Sequence, residues 1–331
     1  MTITDAPPAA RPVRRRRLVW TVLLWLSLMP AAVWLLARTF GWEAGLWVQF
    51  LAFTPYVAVW TLIPLVLALI TRRWTAAAVA SLIAFGFGMA VLPRLVANSD
   101  RGPTAGVDVR LMSANLLFSG AEPSEVVRLV RENRVDVLAV QEFTPNGEAA
   151  LRAAGLEGLL PFRQLAPEFG ASGSGLYSRF PFDEQAARRN GGGFQQAHAT
   201  VRVPGAGTVY VESVHPLAPH HPSVVSGWSA DLREQVPAEG GIPKILLGDF
   251  NATLDHKPMR DLLNTGYRDA AATVGEGWQG TWGPYDGDPI PPVTIDHVLV
   301  DRRIGIRDYG VHVLKDSDHH AVSATVIVPA A

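Results

Sequence analysis

Side chains able to do chemistry recur in this chain at one kind of place, the end of an apolar run. LMSAN ends on Asn115, VLAVQE on Glu142 and VESVH on His215. ILLGDFN carries Asp249 and Asn251, VTID ends on Asp296, and Ser317-Asp318-His319 stands just before the last apolar run. Carboxylate and amide oxygens are what a hard divalent cation takes as ligands. An imidazole beside a carboxylate can hold or pass a proton near neutral pH. Asp249 and Asn251 lie two apart, so on a strand they share a face while Phe250 points the other way. Each group alone has a plainer reading. Asn115 starts a turn, Glu142 caps a helix, His215 beside Pro216 sits in a loop, and Asp318 makes an Asx turn. Asp249 with Asn251 marks a strand-to-turn exit, since Asp and Asn favour turns. Six such ends in one chain favour a site.

The elements that must position these groups read as strands broken by a few helices. VDVRLMSAN, VDVLAVQEF, SGLYSRF, AHATVRV, TVYVESVH, KILLGDF, TIDHVLV and HAVSATVIV are strands, with one more run around Val311 to Leu314. Pro123 opens a helix to about Arg134 with Val126, Val127, Leu129 and Val130 on its apolar side. Thr144-Pro145 opens a short helix that Gly155 closes, and Ser223 to Val236 is a third. Gly191 to Gly193 is a flexible loop, too simple for a phosphate cradle. The pattern predicts an α/β (α+β) domain over residues 107–331, whose sheets face each other. A polar linker over 98–106 precedes it.

Upstream the composition changes. Residues 1–100 hold nine Arg and no Lys against three acids, a net of +6, while residues 101–331 hold 20 basic and 27 acidic residues, a net of −7. Hydrophobic residues make up 48% of the whole. A membrane-crossing helix needs about 20 apolar residues. Three transmembrane helices are expected, at about 18–36, 47–70 and 76–92, with Trp20, Trp42, Trp47 and Trp74 near their ends, where indole favours the interface. An N-terminus in the cytoplasm puts seven loop arginines inside and three outside. The expectation is a multi-pass cell-membrane protein with its catalytic domain extracytoplasmic. A cleaved signal peptide in place of the first span leaves that side unchanged. No acid, Lys or His lies within a span, so these helices read as an anchor to the lipid bilayer, not as a transporter. There is no Cys, which excludes disulfides, thiolate metal sites and a Cys nucleophile.

Taken in order, SAN, QE, H, GDFN, ID and SDH resemble the endonuclease/exonuclease/phosphatase (DNase I-like) superfamily in its membrane-anchored bacterial type, over roughly Val107 to Val328. The resemblance implies a four-layer sandwich of two β-sheets flanked by helices, with the site at the sheet rims. It implies a metal-dependent hydrolase of phosphoester bonds using Mg2+ or Mn2+. Glu142 is then the first metal ligand, with Asn115 beside it and Asp318 on the metal side. Asp249 and Asn251 position or deprotonate the attacking water, and Asp296 holds His319, whose charged ring stabilises phosphoryl oxygens. His215 is the second histidine, a general acid or base. His220 and His221 match nothing in the family; with His215 they suggest zinc, but adjacent residues rarely share one metal, and a loop beside the site is the better reading. The substrate is a lipid headgroup, a small phosphoester or nucleic acid, and no protein partner is implied. The net of −7 with three Lys counts against a long duplex, since phosphate contacts dominate nucleic-acid affinity. Endo- or exonuclease action on extracytoplasmic DNA is one alternative. A non-catalytic binding or sensor module is another, disfavoured because a decayed site should lose some of these groups.

Overall fold

Two mixed six-stranded sheets lie face to face in the computed structural model, which describes residues 11–283 and 290–330. Residues 1–10 of the expected anchor and Ala331 of the expected domain lie outside the described residues. The first sheet is built from β1 (Val107–Asn115), β2 (Val137–Gln141), β3 (Phe162–Ala166) and β4 (Ser174–Ser178). The second holds β5 (Phe182–Arg189), β6 (Gln195–Arg202), β7 (Thr208–Val214), β8 (Lys244–Asp249), β9 (Tyr267–Asp269) and β10 (Asp296–Asp301). The chain then returns to the first sheet through β11 (Gly305–His312) and β12 (Ala321–Val328). The strand orders are β11-β12-β1-β2-β4-β3 and β5-β6-β7-β8-β10-β9.

Central strands bury both faces, which is why they read as near-continuous apolar runs. Between the sheets, Val109, Leu111, Val137 and Leu176 pack against Val209, Val211, Ile245, Leu247 and Val298. The opposite faces bury Leu138 and Val140 of the first sheet and Leu246 and Leu299 of the second, each under helices. The result is the four-layer sandwich that the family resemblance implies.

The N-terminal helices are α1 (Arg11–Phe40), α2 (Trp47–Leu51), α3 (Thr54–Trp60), α4 (Leu62–Ile70) and α5 (Trp74–Val91). On the first sheet lie α6 (Pro123–Glu132), α7 (Pro145–Ala153) and α8 (Leu156–Leu159); α9 (Val225–Arg233), α10 (Lys257–Asn264) and α11 (Ala270–Val274) belong to the second half. Thr144 caps α7 by accepting from Gly147 N at 3.1 Å, and Gly155 takes φ +89° just beyond its end. The helix expected from Ser223 starts later, because Pro222–Val224 forms a 3-10 turn capped by His221.

The N-terminal unit departs from three equal spans. Among the described residues two helices are long and apolar enough to cross a membrane, Leu18–Phe40 and Trp74–Leu95. The apolar run 47–70 is broken. Thr54–Ile70 is a shorter apolar segment, and α2 leaves it to pack on the sandwich. Val48 is fully buried among Phe250, Ala252 and Trp228, and its carbonyl accepts from His256 Nε2 at 2.8 Å. Absence of charge therefore did not distinguish a lipid-facing helix from one facing a protein core.

The two units are locked by ions. Arg38 Nε, from the end of α1, and Arg94 Nη2, just after α5, both reach Asp255 Oδ1 at 2.6 Å, and Asp255 is fully buried. The segment expected as a linker is strapped down: Asn98 N donates to Thr273 O at 2.8 Å, and Arg268 pairs with Asp100 at 3.0 Å.

Candidate active site

The sheet orders decide which strand ends meet. β1 and β2 run parallel with Asn115 opposite Gln141, which puts Asn115 and Glu142 at the same rim. In the second sheet β7 and β8 run parallel, and β10 pairs antiparallel to β8 with Asp296 opposite Asp249. The rims face each other across the sandwich, so groups far apart in sequence come together. Gly248 permits the close strand approach, since a Cβ there would lie 2.0 Å from Val214 O. Glu142 and Asn251 take φ of +53° and +49°, backbone that side chains rarely adopt and that costs about 1 kcal/mol or more each. Such strain at two polar strand ends is typical of functional sites.

Asn115 bridges the rims. Asn115 Nδ2 donates to Asp249 Oδ2 at 3.1 Å and to Glu142 Oε1 at 3.3 Å. Its own Oδ1 accepts from Leu117 N, and Phe118 N donates to Glu142 Oε2 at 2.9 Å. Asp249 Oδ1 accepts from Asn251 N at 2.8 Å, and Asn251 Nδ2 donates to Pro216 O at 3.1 Å. Asp249 Oδ2 thus stands between two imidazoles, with His215 Nε2 and His319 Nε2 each at 3.7 Å. Asp296 faces His319 Nδ1 with oxygens at 2.9 and 3.2 Å. Asp318 lies on the far flank, with Oδ1 at 3.9 Å from His319 Nε2.

The surroundings set different charge states on the two histidines. Burial and the nearby His319 push His215 down to about 3, so it is neutral. Burial also works against a charge on His319, but Asp296, Asp249 and Asp318 overcome it and raise it to about 10. Burial, with Asp296 and Glu142 nearby, raises Asp249 to about 7 despite His319. Burial raises Glu142 as well, against the bonds from Asn115 and Phe118. Burying several carboxylates together is costly unless a cation shares the site.

The donor set fits a hard divalent ion. Glu142, Asn115 and Asp318 offer oxygens, and Asp318 Oδ1 is buried with no hydrogen-bond partner. The ligand atoms of Asp249, Asp296 and His319 also lie within 4.8 Å of one another. Asp296, however, directs both oxygens at His319 Nδ1, which makes that trio a proton-holding unit first. His220 and His221 join neither group. Both are exposed, bonded locally to Ala218 O and Ser223 Oγ.

Three residues of the site were not anticipated. Thr281 Oγ1, fully buried, accepts from Ile295 N and Asp296 N at 3.0 Å each and fixes the start of β10. Trp282 Nε1 donates to Asp318 Oδ2 at 2.9 Å. His256 reaches the same cleft, and burial lowers its proton affinity. No spacing announces them; a Thr-Trp pair in a Gly- and Pro-rich stretch is the one visible signal. The Gly191 to Gly193 loop is held, with Gly192 N donating to Asp231 Oδ1 at 2.9 Å.

Fold and site together define a hydrolase of phosphoester bonds built on the DNase I-like sandwich. Residues 112–319 match the Endonuclease/Exonuclease/phosphatase family, and the chain belongs to it. Solved structures share the fold at low identity. An endonuclease/exonuclease/phosphatase from Beutenbergia cavernae DSM 12333 is 18% identical, with TM-score 0.54, covering 67% of this chain and 72% of that one. D. rerio TDP2 complexed with a single-strand DNA product is 16% identical, with TM-score 0.54, covering 66% and 98%. Sphingomyelinase C from Streptomyces griseocarneus is 13% identical, with TM-score 0.50, covering 66% and 99%. No curated protein matches the chain in sequence.

Proposed function

We propose that this protein is a membrane-anchored, divalent-metal-dependent phosphodiester hydrolase whose catalytic domain lies outside the cytoplasm. The observation that carries the reading is Asp249, near-neutral in affinity for a proton, set between a neutral His215 and a charged His319 with Glu142 one amide away. Glu142, Asn115 and Asp318 are the residues that would hold the cation. A bound Mg2+ or Mn2+ supplies charge neutralisation and orientation to the phosphoryl oxygens.

The remaining steps belong to side chains. Asp249 accepts the proton of the attacking water, a task suited to a group poised near the working pH. Asn251 holds that carboxylate through its backbone N–H. His319, kept charged by Asp296, stabilises the developing charge on phosphorus oxygens. His215, neutral, offers a hydrogen bond to the leaving oxygen. A non-catalytic module is disfavoured, because a site without turnover has no need of two strained backbone positions and of one neutral imidazole set beside a charged one.

Membrane anchoring is supported by α1 and α5, whose apolar side chains are widely exposed, such as Leu82 at 70% and Phe85 at 66%. Their C-terminal ends share Asp255, so they run the same way. At the other end Arg73 bonds Thr21 of α1. The N-terminal arginines and Arg72-Arg73 then lie on one side and the sandwich on the other, which is the arrangement positive loop charges favour with the sandwich outside.

The test is turnover by the full chain in detergent micelles of DNA, phospholipids, small phosphodiesters and phosphomonoesters with Mg2+ or Mn2+. Chelator-sensitive diester hydrolysis is expected. Activity confined to phosphomonoesters, or unaffected by chelation, would contradict the reading.

A further inference from the structure

The catalytic groups open into a cleft of about 710 Å³ that the family domain does not enclose alone. One wall comes from α2 and the turn into α3, where Val48, Ala52 and Phe53 line the same space as Asp249 and His319. This wall is fixed, because Val48 is part of the sandwich core and Gln49 Nε2 donates to Pro219 O at 2.9 Å. Leu217 and Val293 contribute further apolar lining. No Lys or Arg lines the cleft among the described residues. A polyanion would find one charged imidazole and no basic track, where phosphate-tracking sites carry several cations. The wall also leads outward. Phe53 is followed directly by α3, whose Tyr56 bonds Pro292 O at 2.6 Å and which packs on α4 and α5, the helices with exposed apolar faces.

We infer that the α2–α3 corner binds the alkyl chain of an amphiphilic phosphoester drawn from the membrane, with its phosphoryl group at Asp249 and His319. The inference rests on the hydrolase reading above and narrows its substrate class. It makes the N-terminal unit part of the binding site as well as an anchor. A pocket mostly apolar with a few convergent polar groups suits one charged head on a greasy body.

The full chain in lipid nanodiscs with Mg2+ is given two matched esters, methyl p-nitrophenyl phosphate and dodecyl p-nitrophenyl phosphate. The ratio of their kcat/KM values should favour the dodecyl ester on the order of 10-fold or more, since buried methylenes accumulate. Ala52→Arg, and separately Phe53→Ser, should pull that ratio towards one. Partitioning into the disc acts equally on every variant, so the fall on substitution is the decisive readout. A wild-type ratio near one, or a ratio unchanged in both variants, overturns the lipid-chain inference and leaves hydrolysis standing. Absence of turnover on both esters with Mg2+ and with Mn2+ overturns the hydrolase reading, and this inference with it.

Discussion

Replacing Asp296 by Asn should cost nearly as much as removing His319 itself. His319 is held charged at about 10 against an ordinary 6.5, with Asp296 the largest favourable influence and Asp249 the next. At about 1.4 kcal/mol for each factor of ten, that elevation represents roughly 5 kcal/mol in favour of the charged ring. Loss of Asp296 removes the largest support for that charge and the partner that sets the ring's orientation through Nδ1, and kcat/KM should drop on the order of 100-fold. The assay is a double-mutant cycle of Asp296→Asn and His319→Ala on one phosphodiester, with pH profiles. Residues acting as a unit are non-additive, so the double variant should match the weaker single. The sign of the pH effect is fixed as well. A raised His319 keeps its charge until pH passes the folded value, so activity falls only on the far alkaline side. In Asp296→Asn that fall should move towards neutrality. Losses that multiply fully, with an unmoved alkaline limb, would refute the pairing.

Glu142→Ala should abolish turnover at low Mg2+ with little change in thermal stability; wild-type turnover there removes it as a ligand. Asp255→Asn should strip Arg38 and Arg94 of their shared partner at a cost on the order of 3 kcal/mol, read as a lower unfolding temperature and new protease cleavage near residues 40–47. His297, both ring nitrogens bonded to Asp269 Oδ2 and Ala252 O at 2.8 and 2.9 Å, is raised by Asp269 in spite of burial. Its stabilisation, compared with His297→Gln, should be full below pH about 6.5 and shrink as pH rises through the higher folded value; an advantage that grows with pH would contradict this. A C-terminal alkaline phosphatase fusion should be active and the sandwich open to protease in spheroplasts, whereas an inactive fusion with a protected domain reverses the topology.

Central strands were legible because burial on both faces leaves apolar runs, as in VLAVQ and ILLGD. The strands at the sheet margins were not. β3 and β5 give no apolar run, because an edge strand such as FDEQAARR is largely exposed; β9 is buried but only three residues long, and β11 lies earlier than the run around Val311 to Leu314. The site residues were legible as polar groups at strand ends, since a core strand has no other use for them. What sequence order did not convey was the company they keep. Thr281 and Trp282 act through a backbone amide pair and one carboxylate, with no spacing to mark them. Residues 47–53 carry the same uncharged pattern whether they face lipid or a core, so only the packing of Val48 against Phe250 told them apart.

If water attacks phosphorus at Asp249 with a cation held by Glu142, oxygen-18 from labelled water must enter the phosphoryl group. The full chain with Mg2+ should hydrolyse dodecyl p-nitrophenyl phosphate with one labelled oxygen entering the phosphate-bearing product, and both chelation and Asp249→Asn should stop the incorporation. Label found in p-nitrophenol, or incorporated equally after chelation, would exclude metal-dependent attack of water on phosphorus.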